Sequence, residues 1–201
     1  MLFLKLSESM VACRDTLTHA DQQVGDGDHG LAIERGFSAV AQMLETERPE
    51  TVDALFTLIG RTLLRSMGGA SGPIFGSLFA GGARSLDDTS DFDAEALAHF
   101  LAGGLQLVQE RGKAQVGDKT VVDALKPAAD KAGELRDAPL STAMAAAAAA
   151  AAEGCENTKN LIARFGKSKT LGDRALDHVD PGALSFSLMM NNLNGLVEQT
   201  R

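Results

Sequence analysis

Three aspartates, Asp21, Asp26 and Asp28, fall within one short run, DQQVGDGDHG, at residues 21–30. Gly25 and Gly27 alternate with two of them, and His29-Gly30 follows directly. Carboxylate oxygens are hard ligands, and magnesium takes one or two of them together with water and phosphate oxygens. Three carboxylates brought to one point would repel each other without a cation between them. Glycine opens backbone angles closed to other residues, so the chain can fold Asp26 and Asp28 back toward Asp21. The run therefore reads as a magnesium loop that holds a nucleotide's phosphates. A solvated acidic turn would use the same residue types.

A second glycine-bearing run, SMGGASGPIFGSLFAGGARSL, begins at Ser66. Its Gly-Gly-Ala-Ser-Gly segment precedes an apolar stretch at 74–83. Free N–H groups at a helix start attract anions, and glycine lets a phosphate come near. An ordinary helix–helix turn has the same composition. No Gly-Lys-Ser/Thr follows, so the run is not a Walker loop. A third polar turn, Gly117-Asp118-Lys119-Thr120, supplies Thr120 as a helix cap. A fourth segment, 165–182, is basic first and acidic later.

The elements that must position these runs are helical. Apolar residues recur at helical spacing over about 2–20, 31–46, 51–64, 74–83, 92–110, 121–132, 140–155, 157–164 and 183–197. Gly112 suits a helix C-cap. The connection at 86–93 is acidic and polar. The alanine run before Cys155 predicts a tightly packed inner helix, since alanine is the best helix former. Gly76, Ala80 and Ala83 allow close helix packing, and Met189 and Met190 read as core filler. No period-two, β-branched alternation appears. The fold class expected is all-α, about eight helices, in a single domain over 1–201. If the helices alternate up and down, the four polar runs share one rim.

Composition narrows the function. A chain of 201 residues with net charge −8 is ill suited to nucleic acid. Tyr and Trp are absent, so base stacking would fall to nine Phe. No apolar stretch spans a bilayer, and no signal peptide is visible. The two cysteines, Cys13 and Cys155, fit no metal spacing, and a reduced, cytoplasmic setting is expected.

With DQQVGDGDHG, GGASGPIFG, RGKAQVGDKTVVDAL and LGDRALDHVDPGALS in this order, the sequence resembles the nucleotide-binding L subunit of bacterial dihydroxyacetone kinase, nearly end to end. The resemblance implies a barrel of eight antiparallel helices with the nucleotide at one end. It implies that Asp21, Asp26 and Asp28 bind two magnesium ions bridging the phosphates of ADP or ATP. His29, Gly30, Leu31 and Ala32 would lie along the nucleotide, and Ala70, Ser71 and Gly72 would form the phosphate-side loop. Gly112 and Val121 would sit near base and ribose. Lys167 and the trio Asp180, Pro181 and Gly182 would close the site. The family usually has Arg at the Lys167 position, Tyr where Thr170 stands and, in some relatives, Asn at the Ala32 position. Lysine keeps the charge but loses the bidentate fork.

No residue here reads as a dedicated base for a sugar hydroxyl. The family's hydroxyketone sits on a separate K subunit, so this chain would be half an enzyme. A phosphotransferase-system M subunit recharging bound ADP, or exchanging ATP, would supply the phosphate. A homodimer stays open. The alternatives are the nucleotide domain of another triose, tetrose or fatty-acid kinase, and a non-catalytic partner of a transcription regulator. The family's fatty-acid kinases usually carry Thr where His29 stands, and a large extra C-terminal part.

Overall fold

The structure, a computed structural model, describes residues 2–86 and 91–199. Among them are nine α-helices: α1 Leu2–Ala12, α2 Arg14–Val24, α3 His29–Thr46, α4 Val52–Ser66, α5 Ser71–Arg84, α6 Ala94–Gly112, α7 Val122–Glu134, α8 Leu140–Asn157 and α9 Pro181–Glu198. Two 3-10 segments, Thr158–Asn160 and Lys167–Ala175, complete the described helical elements, and no described residue lies in a strand. The chain is all-helical, as its spacing predicts.

Each helix from α3 to α9 packs on the next; α9 packs on α1, and α1 on α3. The contacts thus close on themselves. Phe3, Phe56, Phe79, Phe92 and Phe100 meet edge-on or tilted, with Phe56 and Phe100 ring centroids 4.6 Å apart. Such geometry suits the quadrupoles of aromatic rings. Met189 and Met190 are fully buried with them.

Close approach of backbones depends on small residues. A Cβ on Gly81 would lie 2.3 Å from the Gly103 carbonyl oxygen, and one on Gly103 would lie 2.5 Å from that of Gly81. The α5–α6 crossing therefore requires glycine on both sides. Gly76 plays a similar part against Gly60 and Leu64 of α4. In α8, Ala143, Ala147, Ala148 and Ala151 are buried on one face, and a Cβ on Gly154 would meet the Asp123 carbonyl oxygen at 2.3 Å.

Several boundaries differ from the sequence expectation. The helix expected over 2–20 is two, because at Cys13 the N–H turns to the Met10 carbonyl in an i to i−3 bond. Helix α5 starts at Ser71, before Pro73, since proline is accommodated in a first turn where its missing N–H costs nothing. The left-handed residue after α6 is Lys113, φ 61°, not Gly112, which is the last helical residue. The helix expected over 157–164 shrinks to one 3-10 turn. Its Thr158 carbonyl accepts from Lys119 Nζ, and Arg164 N–H donates to the Asp118 carbonyl instead of continuing a helical ladder. Of the connection expected at 86–93, residues 87–90 lie outside the described residues.

Candidate nucleotide and metal site

The acidic loop is shaped by its neighbours. Asp21 lies in the last turn of α2 and is buried, and its Oδ2 accepts from His29 N–H at 3.1 Å, capping α3 from outside the helix. Gly27 has φ 79°, a left-handed conformation that favours glycine. Gly25 is needed for a different reason: its backbone is extended, but a Cβ there would lie 2.2 Å from Asp21 Oδ1. The result is that Asp21, Asp26 and Asp28 each offer an oxygen within 4.8 Å of the others.

One side chain reaches into this cluster from far along the chain. Lys167 donates to Asp26 Oδ2, and to Asp28 Oδ2 at 3.3 Å. Its ammonium holds the Asp26 carboxyl below the ordinary carboxylate range, and those carboxylates raise the Lys167 pKa in turn. Gly166, with φ 68°, turns the chain into the 3-10 segment that carries this lysine.

His29 opens α3 and faces two serines. Its Nδ1 lies 3.0 Å from Ser71 Oγ at the start of α5, and its Nε2 lies 3.1 Å from Ser185 Oγ in α9. Burial lowers its pKa against the opposing pull of Asp21 and Asp28, so the ring is neutral near pH 7. The first turn of α5 has no side-chain cap, which leaves its N–H groups open to an anion.

The opposite wall is tied together by Lys119. It is buried, has φ 59°, and donates from Nζ to the Thr158 and His178 carbonyls at 2.6 Å each. Burial lowers its pKa, opposed by Asp180, Asp123 and Asp177. Thr158 Oγ1 in turn accepts from Asp180 N–H at 2.9 Å. Asp180 caps α9 by accepting from Ala183 N–H at 2.8 Å. Although part of Asp180 faces the cavity, its carboxyl is packed in protein, and burial pushes its pKa up to about 7. Thr120 caps α7 as expected: its Oγ1 accepts from Val122 N–H, and Asp123 accepts from Thr120 N–H.

These pieces border one cavity of about 480 Å³. The four polar runs of the sequence do share a rim. Asp21, Asp26, Asp28, His29, Ala70, Ser71, Gly112, Val121, Lys167, Asp180 and Gly182 all line it. Gly30, Leu31, Ala32, Gly72 and Pro181 do not. Gly30 serves packing, since a Cβ there would lie 2.2 Å from the Arg14 carbonyl oxygen. Gly72 lies against the Met67 carbonyl in the same way, and Leu31 points to solvent. Sequence reasoning missed Lys119 and Arg111, both cavity-lining. Each is a cation inside a run already singled out, which is the signal that could have found them.

An all-helical fold here gathers three carboxylates, an open helix start and a lysine round one cavity. The DAK2 domain model matches residues 23–195, and the chain belongs to that family. The ADP-binding subunit DhaL of PEP-dependent dihydroxyacetone kinase from Escherichia coli (strain K12) is 37% identical over 179 residues, 88% of this chain and 85% of that one. The PTS-dependent counterpart from Lactococcus lactis is 32% identical, over 94% of this chain and 91% of that one. The crystal structure of the dihydroxyacetone kinase from C. freundii, in complex with AMP-PNP and Mg2+, superposes with a TM-score of 0.75 at 26% identity. That match covers 96% of this chain, which spans 33% of the C. freundii chain.

Proposed function

We propose that this chain is the nucleotide-holding half of a two-subunit phosphotransferase. It holds ADP or ATP with magnesium and presents a phosphoryl group to dihydroxyacetone, or a related hydroxyketone, bound on a separate K subunit. The observation that carries this reading is the convergence of Asp21, Asp26 and Asp28 at the cavity, with the Lys167 ammonium lodged among them. A lysine drawn into that cluster marks where positive charge is wanted.

The donor set fits magnesium: hard carboxylate oxygens, with room beside them for phosphate and water. Asp21, Asp26 and Asp28 would hold it, two ions in this reading, and bound magnesium would neutralise phosphate charge and fix its geometry. Phosphoryl transfer asks a protein for positioning and charge stabilisation more than for covalent chemistry. The open N–H groups of the α5 first turn, with Ser71, are offered to the phosphates. Lys167 sits within reach of the same region and can leave Asp26 for a phosphate oxygen. No group in the cavity is asked to take a proton from the acceptor hydroxyl, which belongs to the K subunit.

Residues 1–201 then form a single domain, and the closed run of helix contacts is the wall of a barrel with the site at one end. The setting is cytoplasmic. Recharging comes from a phosphotransferase-system M subunit or by exchange of ATP.

The test is to mix the purified chain with a K subunit, dihydroxyacetone and ATP, or with an M subunit and a phosphoenolpyruvate relay. Phosphorylated dihydroxyacetone supports the reading. No transfer by either route removes it. Native mass spectrometry should show ADP and two magnesium ions retained on the chain.

A further inference from the structure

Helix α5 measures the cavity. Ser71, at its first position, touches His29 beside the carboxylates. Ser77, six residues on and about 9 Å further along the axis, accepts from Arg111 Nη1 at 3.1 Å. That separation is comparable to the span from the phosphates of a nucleoside diphosphate to its base. The cavity lining also includes apolar side chains from three elements: Ile74 from α5, between the two serines in sequence, Val108 from α6 and Val121 before α7. A flat aromatic heterocycle fits such a wall, and a phosphate does not.

Arg111 lines the cavity at this second station. Among the described residues its recorded partner is the neutral Ser77 hydroxyl, itself buried, and no carboxylate pairs with it. A guanidinium carries five N–H donors, of which that bond uses one. In a chain of net charge −8, a cavity-facing arginine left without a carboxylate has donors to spare for a ligand.

We propose that Arg111, anchored by Ser77, is a specificity-determining residue that donates to the acceptor nitrogens of a purine held against Ile74, Val108 and Val121. This rests on the nucleotide reading and adds to it the group that selects the base. Arginine suits the task because its planar donors match the edge, or stack on the face, of a heterocycle. Ser77 fixes which edge of the guanidinium turns inward.

Calorimetry with magnesium ADP and with magnesium pyrophosphate separates base from phosphate binding. Arg111→Leu should weaken ADP binding about tenfold, the loss of one charge-assisted hydrogen bond, and leave pyrophosphate binding unchanged. Retained pyrophosphate binding also shows that the variant is folded. Arg111→Lys should recover part of the loss, and Ser77→Ala should reproduce a smaller one. ADP affinity unchanged in Arg111→Leu overturns the proposal, and so does an equal loss for both ligands. A wild-type chain that binds neither ligand overturns the nucleotide reading and the base-selecting role with it.

Discussion

Asp26 and Asp28 contribute little to holding the fold: both are exposed, and apart from bonds to the loop's own backbone their carboxylates meet only the exposed Lys167 among the described residues. Asp26→Asn or Asp28→Asn should therefore leave the helical circular dichroism unchanged while abolishing magnesium-dependent ADP retention in calorimetry. Unchanged affinity in either variant would count directly against these residues as ligands. Asp180 is the opposite case, a carboxyl whose burial favours the protonated form. Its folded pKa, about 7, lies above its ordinary value of 3.8, so the folded state binds the proton more tightly. Its contribution to stability is present below pH 3.8 and is lost as pH rises through about 7. Asparagine keeps the cap on Ala183 N–H but cannot ionise. Urea denaturation from pH 4 to 8 should thus show a flatter decline in Asp180→Asn than in the wild type. Identical slopes would mean that Lys119 already holds Asp180 ionised.

At the scale of elements, α5 and α6 carry Ser71, Ser77 and Arg111, and the two helices cross closely at Gly81 and Gly103. Gly81→Ala would drive a methyl into the Gly103 carbonyl, backbone that cannot swing aside. We expect a loss of about 1–3 kcal/mol by overpacking, despite the roughly 1 kcal/mol that alanine gains over glycine in a helix. Gly133→Ala is the control, exposed on α7 with nothing within 4 Å of the added Cβ. It should stabilise by roughly 0.5–1 kcal/mol. Chemical denaturation of the two variants checks both signs. The helices themselves were legible because each buries a stripe of apolar side chains, and periodicity reports burial. What periodicity cannot report is where a polar group distant in sequence, side chain or backbone, outcompetes a local ladder. The helix expected over 157–164 fails for that reason, since the Lys119 side chain donates to the Thr158 carbonyl and the Asp118 backbone carbonyl accepts from Arg164 N–H. The 3-10 segment Lys167–Ala175 has the sequence of a loop because it is polar, and it bends at Gly172, φ 56°. In the site, residue types gave the carboxylates and the rim. They could not separate Gly30, a glycine for helix packing, from Gly27, a glycine for a turn.

For the whole molecule, the cavity wall is drawn from the α2–α3 loop, α5, the α6–α7 turn, the segment around Lys167 and the start of α9. These lie far apart in sequence, and the helices bearing them close on one another in a ring of contacts. A ligand that touches all of them binds only the folded chain, so its binding energy appears as global stability. At a magnesium ADP concentration 100 times the Kd, the gain is about 2.7 kcal/mol. For a domain of this length that corresponds to a rise in Tm of roughly 5–10 °C. The rise needs both components, because without a divalent cation the phosphates would face three carboxylates. ADP with a chelator should leave Tm near that of the free chain, and magnesium alone should move it little. Asp26→Asn should keep the free chain's Tm and lose the rise. Differential scanning calorimetry across these four conditions is decisive: an equal rise for ADP with chelator would mean that the nucleotide binds without the acidic loop, and the site would have to be sought elsewhere on the molecule.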